Sequence, residues 1–445
     1  MNAVRVQPWL EYILNRPVVV WLILGFTVAY CSFFVTPVFF SAENIMQFPR
    51  YVPAEEPIGL DLGLTISFSR SWLIAKQTPY VGQCTGQKNL YPPFATICFV
   101  PLLFASFPVA YRIVALATIL AYCILTLVLS HSMTRRNRNL PVLVLVFATG
   151  LFSYGFHFEL ERGQFNVIAI VLCFLGIYIY HYHHRLRHWA YLAFVVSVQL
   201  KVYPGIFILM FVKNWADWRR NLRRLGILSA FNVLSLFVLG PATCVEFLKE
   251  IGEGSAHPYV WTGNHSIKSF VTLLSTRAGD AGMPDVQLWM AAHAGIVEVS
   301  LLSLVAFCVF LVIVIAYWRR KMGFDPYLLV VCTIASMLIP SISHDYKLPI
   351  LAAPFGIALS AVRPPATTRE RIISGLSLVA ISVSYCSMLF SYVNKPMCLR
   401  NNFLPLMVVL LGFTILAQMD RPVAESGESF GENGKSRIPS SSIRL

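Results

Sequence analysis

The chain runs to 445 residues, 57% of them hydrophobic and 13% charged, about half the charge of an ordinary soluble domain. Its 35 Lys and Arg against 21 Asp and Glu give a formal charge of +14, but the cations fall in short clusters between long apolar runs, so nothing calls for nucleic acid as a partner. A mean hydropathy of +0.65, with many segments near the ~20 residues that cross a bilayer, excludes a soluble enzyme, a secreted domain and a disordered chain, and predicts an all-α integral membrane protein.

The first apolar run, 18 to 40, is about 23 residues, too long for a signal-peptide core, and has no small-residue cleavage site, so it predicts a membrane anchor. An outer loop over 41–110 follows. Within it, Leu62, Ile66, Trp72 and Leu73 alternate with Arg70 and Lys76, an amphipathic pattern suited to the membrane surface. The stretch 93–107, about 15 residues and broken by Pro101 and Pro108, predicts an interfacial segment rather than a span.

Basic clusters set the span count. TRRNR at 134–138, RLR at 185–187, Lys213 to Arg224, RRK at 319–321, and Arg363 with Arg369 and Arg371 should all face the cytoplasm. A single span over 189–212 would put RRNLRR outside. A hairpin broken near Lys201, Tyr203 and Pro204 keeps it inside, and its arms are too short to cross about 30 Å at 1.5 Å per residue. A lysine at that depth is tolerable only in a cavity or buried in protein.

The expected spans are about twelve, at 18–40, 111–131, 140–156, 165–182, 189–200, 202–212, 225–242, 296–318, 327–343, 347–362, 372–391 and 403–419, with both termini cytoplasmic. Residues 1–419 then form one polytopic domain with outer loops 41–110 and 243–295, the latter holding a weaker segment, Ser266 to Ser275. The polar stretch 420–445 reads as a disordered cytoplasmic tail. No internal repeat is visible. Seven of the ten cysteines lie in apolar runs and no CxxC pair occurs, so neither a disulfide framework nor a metal site is expected. The HYHH run at 181–184 reads as an inner-face collar.

Polar side chains collect at the outer boundaries. Asp61, in GLDLGL, suits a general base if partly desolvated, or a helix N-cap. In GFHFELERGQFN, Glu159, Glu161 and Arg162 could orient a sugar or phosphate, or form a solvated ion pair. SISHDYK packs His344, Asp345, Tyr346 and Lys347 between two apolar spans, either as a site or as interfacial caps. Lys201 either snorkels to water or holds a phosphate. Asn264, His265, Ser266 and Lys268 in WTGNHSIKS, and Lys88 with Tyr91 in QKNLYPP, complete the set. Cations converging from separate loops are what an anionic lipid-phosphate leaving group requires.

An early Asp in the first outer loop, an amphipathic segment and then YPP opening an interfacial helix resemble the polytopic GT-C glycosyltransferases. LYPPFATICFVPLL, ERGQFNVIAIVLCFLG, QLKVYPGIFIL, NHSIKSFVTLL and SHDYKLPIL, in order over about residues 55–360, are similar to glycosyltransferase family 87, which includes polyprenyl-phosphate-mannose-dependent mannosyltransferases. The resemblance implies a GT-C-like fold in a bacterial inner membrane and an outer or periplasmic active site. It implies inverting transfer of a monosaccharide, mannose favoured, from a polyprenyl-phosphate-sugar donor to a lipid-linked or glycan acceptor.

It further maps the catalytic base to Asp61 and a catalytic histidine to His344. Lys201, Lys347 and Arg162 are then expected on the donor phosphate, and Glu159, Gln164, Asn264, His265, Tyr91 and Lys88 on the substrates. Membrane lipids are expected partners, and no cofactor or metal is expected. The rival class is a lipid-linked sugar flippase, which would also use a broken hairpin and buried cations.

Overall fold

The computed structural model describes residues 58–80, 88–134, 140–257, 260 and 263–360, with a few positions beyond them. The expected spans 18–40, 372–391 and most of 403–419, and the tail 420–445, lie outside the described residues. Among the described residues the chain is helical throughout, with isolated bridges in place of strands.

Helix α1, Leu60–Leu73, is the amphipathic segment: Leu62, Ile66 and Ser69 are buried along one stripe and Arg70 is exposed. After it, Pro92 in an extended conformation and Pro93 at the first helical position launch α2, Pro93–Cys98, followed by a 3₁₀ run, Val100–Phe104. These pieces of 6 and 5 residues are too short to cross a bilayer, as expected for an interfacial segment.

The spanning part begins with α3, Phe107–Met133, a run of 27 residues with a π-helical stretch at Ile124–Leu129. Helix α4, Leu140–Leu151, bends by 50° into α5, Tyr154–Arg162. The sequence expects one span over 140–156; instead the helix breaks at Ser153, whose side chain caps the new one. Helix α6, Asn166–Tyr182, buries one face and has no exposed residue on the other, as a helix central to the bundle does. Against it lies α7, Arg187–Leu200, so close that a Cβ on Gly176 would sit 2.8 Å from the Ala190 carbonyl oxygen. Lipid gives apolar helices no hydrophobic reason to associate, so such small-residue approach is what holds them.

Helix α7 ends at Lys201, whose backbone is extended, and a 3₁₀ run, Tyr203–Phe211, turns back. Phe211 packs on Phe194 with ring centroids 4.7 Å apart, and Gly205 faces Val198, so the two arms form the expected broken hairpin. Helix α8, Trp218–Ser235, is capped by Asp217 and takes RRNLRR into its first turns. The expected span 225–242 is therefore not one helix. It ends at Ser235, and α9, Pro241–Ala256, starts after Gly240 at φ 99°. Helix α10 is Ile267–Arg277 and α11 is Pro284–Trp318, 35 residues, starting twelve before the expected span. Exposed Val299, Phe307 and Phe310 on α11 form an apolar face fit for lipid. Helix α12, Pro326–Leu338, is buried along its whole length; a 3₁₀ run, Asp345–Leu351, and α13, Ala352–Ser360, follow.

Among the described residues two helices, α3 and α11, are long and apolar enough to cross a membrane alone, and the bent α4–α5 pair makes a third candidate. The bundle has two chemically different ends. At one, His184 contacts Lys213 at 2.9 Å, and the Trp215 N–H donates to the Lys321 carbonyl at 3.1 Å. Three of the basic clusters thus meet there, beside the end of α3, where Tyr182 bonds to the Met133 carbonyl. The start of α6, about 25 Å away at 1.5 Å per residue, lies among the polar residues of the opposite end.

One position ties α5 to the last 3₁₀ run. A Cβ on Gly155 would stand 2.7 Å from the Asp345 carbonyl oxygen and 3.0 Å from the Leu348 Cβ. Gly155→Val should cost about 1–3 kcal/mol by overpacking and lower the melting temperature in detergent. Gly226→Ala, with open space around it, should leave the melting temperature unchanged or raise it.

Candidate active site

Asp61 stands in the first turn of α1, not at its cap. The N-cap is Gly59, left-handed at φ 74°, and no side chain caps the helix. Gly59 donates its N–H to the Glu161 carbonyl at 2.7 Å, which fastens the start of α1 to the end of α5, and Tyr111 of α3 donates its hydroxyl to the Leu160 carbonyl at 2.8 Å beside it. Gly163, left-handed at φ 66°, ends α5; a Cβ there would meet the Leu62 Cβ at 2.8 Å, so the approach needs glycine. This docking sets Arg162, the last residue of α5, opposite Asp61.

The Arg162 fork engages both carboxylate oxygens, Nη2 to Oδ1 at 2.7 Å and Nε to Oδ2 at 3.1 Å. Each charge also sits at the favourable helix end, the carboxylate near an N-terminus and the guanidinium near a C-terminus. Gln164 adds Nε2 to Oδ2 at 2.5 Å, and its Oε1 accepts from Lys201 Nζ at 2.6 Å. A carboxylate only accepts and an ammonium only donates, so the two neighbours fix which way the amide points. Arg162, Asp61, Gln164 and Lys201 therefore form one continuous hydrogen-bonded series.

Lys201 is buried, and its ammonium lies 4.3 Å from the Tyr91 ring centroid and 4.4 Å from that of Phe165. It does not snorkel. Tyr91 is held in place by the Asn89 side chain, which accepts its N–H at 3.0 Å, and by Tyr80, which donates to its carbonyl at 2.6 Å. The Tyr91 hydroxyl accepts from Gln164 Nε2 at 3.3 Å. Burial pushes the pKa of Tyr91 well above its ordinary value, with Asp61 adding to the effect, so the phenol stays protonated.

The second break, SISHDYK, is stapled to the start of α10. Asn264 Oδ1 accepts from the N–H groups of Ser266 and Ser343, and its Nδ2 donates to the Ser341 carbonyl. His265, wholly buried, pairs with Asp345 at 2.7 Å. These ties bring round Lys347, which donates to the Ile342 carbonyl at 2.6 Å and lies 4.8 Å from the Tyr203 ring, next to the first break. His344 stacks edge-on to Tyr346, and Tyr346 lies within electrostatic reach of Asp61 and Tyr91. Burial above all, then the charges of Lys347, Arg162, His265 and Lys201, lowers the His344 pKa to about 3, so its imidazole is neutral near pH 7.

The structure thus gathers Asp61, Arg162, Gln164, Lys201 and Tyr91, with Lys347 and His344 alongside. Four others lie elsewhere or serve the frame. Glu159 is sealed in at 0% exposure, and its Oε1 accepts the Val167 N–H at the start of α6, so the solvated-pair alternative does not hold. Asn264 and His265 staple the second break from buried positions. Lys88 is exposed and pairs with Glu250 at 3.5 Å and with Glu253, both on α9. Tyr346 joins the site with the rest of SISHDYK, while Phe165 and Tyr203, ring neighbours of Lys201 and Lys347, are contributors that the sequence does not single out as site residues. The signal for Tyr203 is the aromatic residue set beside the lysine in KVYP; Phe165, 36 residues before Lys201, has none. Among the described residues no three His, Cys, Asp or Glu side chains gather as a metal would require.

An oriented carboxylate joined through one amide to a buried ammonium group can accept a proton on one side and stabilise an anion on the other. The family model for glycosyltransferase family 87 matches residues 89–341, more than half of the chain. The match includes Tyr91, Glu159, Arg162, Gln164, Lys201, Asn264 and His265, while Asp61, His344 and Lys347 lie outside it and join the site through the contacts above. No curated protein and no solved structure gives a match.

His344 makes the fold sensitive to acid. Its pKa is depressed in the folded state, so between its ordinary value of 6.5 and about 3 the unfolded chain takes up the proton more readily. Its contribution is complete above pH 6.5 and is lost as pH falls towards 3. The melting temperature should therefore drop from pH 7 to pH 5, and His344→Gln should shrink that drop; an unaltered slope would contradict the assignment.

Proposed function

The chain belongs to glycosyltransferase family 87, and from that membership and the geometry around Asp61 we propose an inverting transfer of a hexose from a polyprenyl-phosphate donor. The observation that carries this reading is the single amide, Gln164, that connects Asp61 to Lys201. The proton acceptor and the anion holder are then a few ångströms apart, the separation a single displacement needs.

In this reading the acceptor hydroxyl donates a hydrogen bond to Asp61. Arg162 and Gln164 hold the carboxylate, which keeps accepting capacity because its two oxygens offer about four lone-pair positions. As the hydroxyl oxygen bonds to the anomeric carbon, its proton passes to Asp61. The bond from that carbon to the phosphate oxygen breaks, and the electron pair leaves with the polyprenyl phosphate. Lys201 and Lys347 stabilise the charge developing there. The Arg162 fork is turned on Asp61, so its part is to orient the base. Tyr91 and Tyr346 offer rings on which a sugar face can rest, and neutral His344 offers a hydrogen bond to the donor. One attack on one face inverts the anomeric centre, in contrast to the paired carboxylates of most glycoside hydrolases.

Mannose is the favoured sugar and a lipid-linked or envelope glycan the favoured acceptor, with a GT-C-like bundle of about twelve spans in a bacterial inner membrane and the site facing the periplasm. The basic clusters at the other end of the bundle support that orientation.

Purified protein given polyprenyl-phosphate-[³H]mannose and membrane lipid extract should form a labelled glycolipid, and Asp61→Asn should slow this by about 10²–10⁴-fold with the fold intact. Wild-type turnover by that variant would remove Asp61 from the mechanism. Lys201→Ala should weaken donor binding by about tenfold or more, and unchanged donor affinity would contradict its assignment to the phosphate.

A further inference from the structure

At the basic end of the bundle, three cationic or potentially cationic side chains converge on one point. His184 opens the short turn between α6 and α7, Arg187 is the first residue of α7, and Lys213 lies between the hairpin and α8. The two nitrogens of the His184 ring each face a cation, Nδ1 to Arg187 Nη2 at 2.9 Å and Nε2 to Lys213 Nζ at 2.9 Å. A neutral imidazole has one lone pair and one N–H, so it can accept from one of these groups only. The other contact sets donor against donor.

Among the described residues no carboxylate is paired with any of the three. The nearby acids are engaged, Asp217 with Arg220 at 3.2 Å and Asp325 with Lys321 at 3.1 Å. Arg187 Nε is buried and has no acceptor among the described residues, a further donor left over. Arg224 adds charge beside them: it and Arg187 lie over the same Tyr180 ring, at 5.2 and 5.6 Å. The charge of Lys213, then loss of water, then the charge of Arg187 lower the pKa of the His184 ring. Nor is the arrangement a chance of loose side chains. The Lys213 carbonyl accepts from the Gly323 N–H at 2.8 Å, and Asn214 bridges to Met322, so the backbone carrying the ammonium is fastened to the far end of α11. The charge bias of cytoplasmic loops accounts for how many cations are here, not for their convergence on one ring.

We propose that His184, Arg187 and Lys213 form a binding site for a phosphate group, of the kind an anionic phospholipid headgroup presents at the membrane boundary. Phosphate oxygens supply the missing acceptors, and the same ligand ties the α6–α7 turn to the loop before α8. The site lies at the opposite end of α6 from Asp61 and does not depend on the glycosyltransferase reading.

The test uses the full chain in phosphatidylcholine nanodiscs, titrated with phosphatidylglycerol in one arm and inorganic phosphate in the other, with binding read by native mass spectrometry and by the shift in melting temperature. Saturable binding should weaken about tenfold in Lys213→Gln and in Arg187→Gln, and stay unchanged in Arg223→Gln, which removes an exposed charge from the same end. Melting without added anion checks that each variant is folded, and His184→Gln replaces either one that is not. Saturation by the lipid alone identifies a headgroup, and saturation by phosphate as well identifies the shared group. Saturation by neither, or an equal loss in Arg223→Gln, would overturn the proposal.

Discussion

A charge withdrawn from water at a membrane boundary has to be answered by another group, and in this chain the answer runs through Gln164. Its amide accepts from Lys201 and donates to Asp61, which in turn is forked by Arg162. Four residues from three segments far apart in sequence become one electrostatic unit. Breaking a buried pair by removing one partner strands the other, so such units cost several kcal/mol to disturb. That constraint explains why α1, α5 and the first helix break meet where they do.

The two helix breaks follow from the same requirement. An ordinary α-helix would carry Lys201 or Lys347 along a wall of apolar side chains. A 3₁₀ run begins instead just after Lys201, and another contains Lys347, with an aromatic ring under each ammonium. The two lysines at these breaks are buried in protein, although Val202 and Ile339 beside the breaks are exposed, where a wholly lipid-facing break would leave unpaired amides. Asn264 and the His265–Asp345 pair supply that cover for the second break, and the hairpin packing of Phe211 on Phe194 supplies it for the first.

Much of this was legible in the sequence because ionisable residues in apolar surroundings are costly. Asp61 in GLDLGL and Lys201 in QLKVYPG drew notice for that reason, and proline with the charge bias argued for the broken hairpin. Pairings across 101 residues, as between Asp61 and Arg162, or across 80, as between His265 and Asp345, have no local signature. They depend on which helix ends dock, and glycines at 59 and 163 set that docking. Some boundaries were missed although their signals were present. Asp217 before WRRNLRR is a helix cap, and Pro284 followed by Asp285 is a helix start, but basic residues weighed as topology signals hid the first and an assumed span length hid the second.

The central claim is that the donor phosphate rests on Lys201 and Lys347 while the acceptor hydroxyl reaches Asp61. Cryo-electron microscopy of the full chain with a non-hydrolysable polyprenyl-phosphonate sugar tests it most directly. The account predicts phosphonate density within hydrogen-bond reach of the two ammonium groups, with the anomeric carbon directed at Asp61. Density for that group at the far end of α6, beside Arg187 and Lys213, would contradict it.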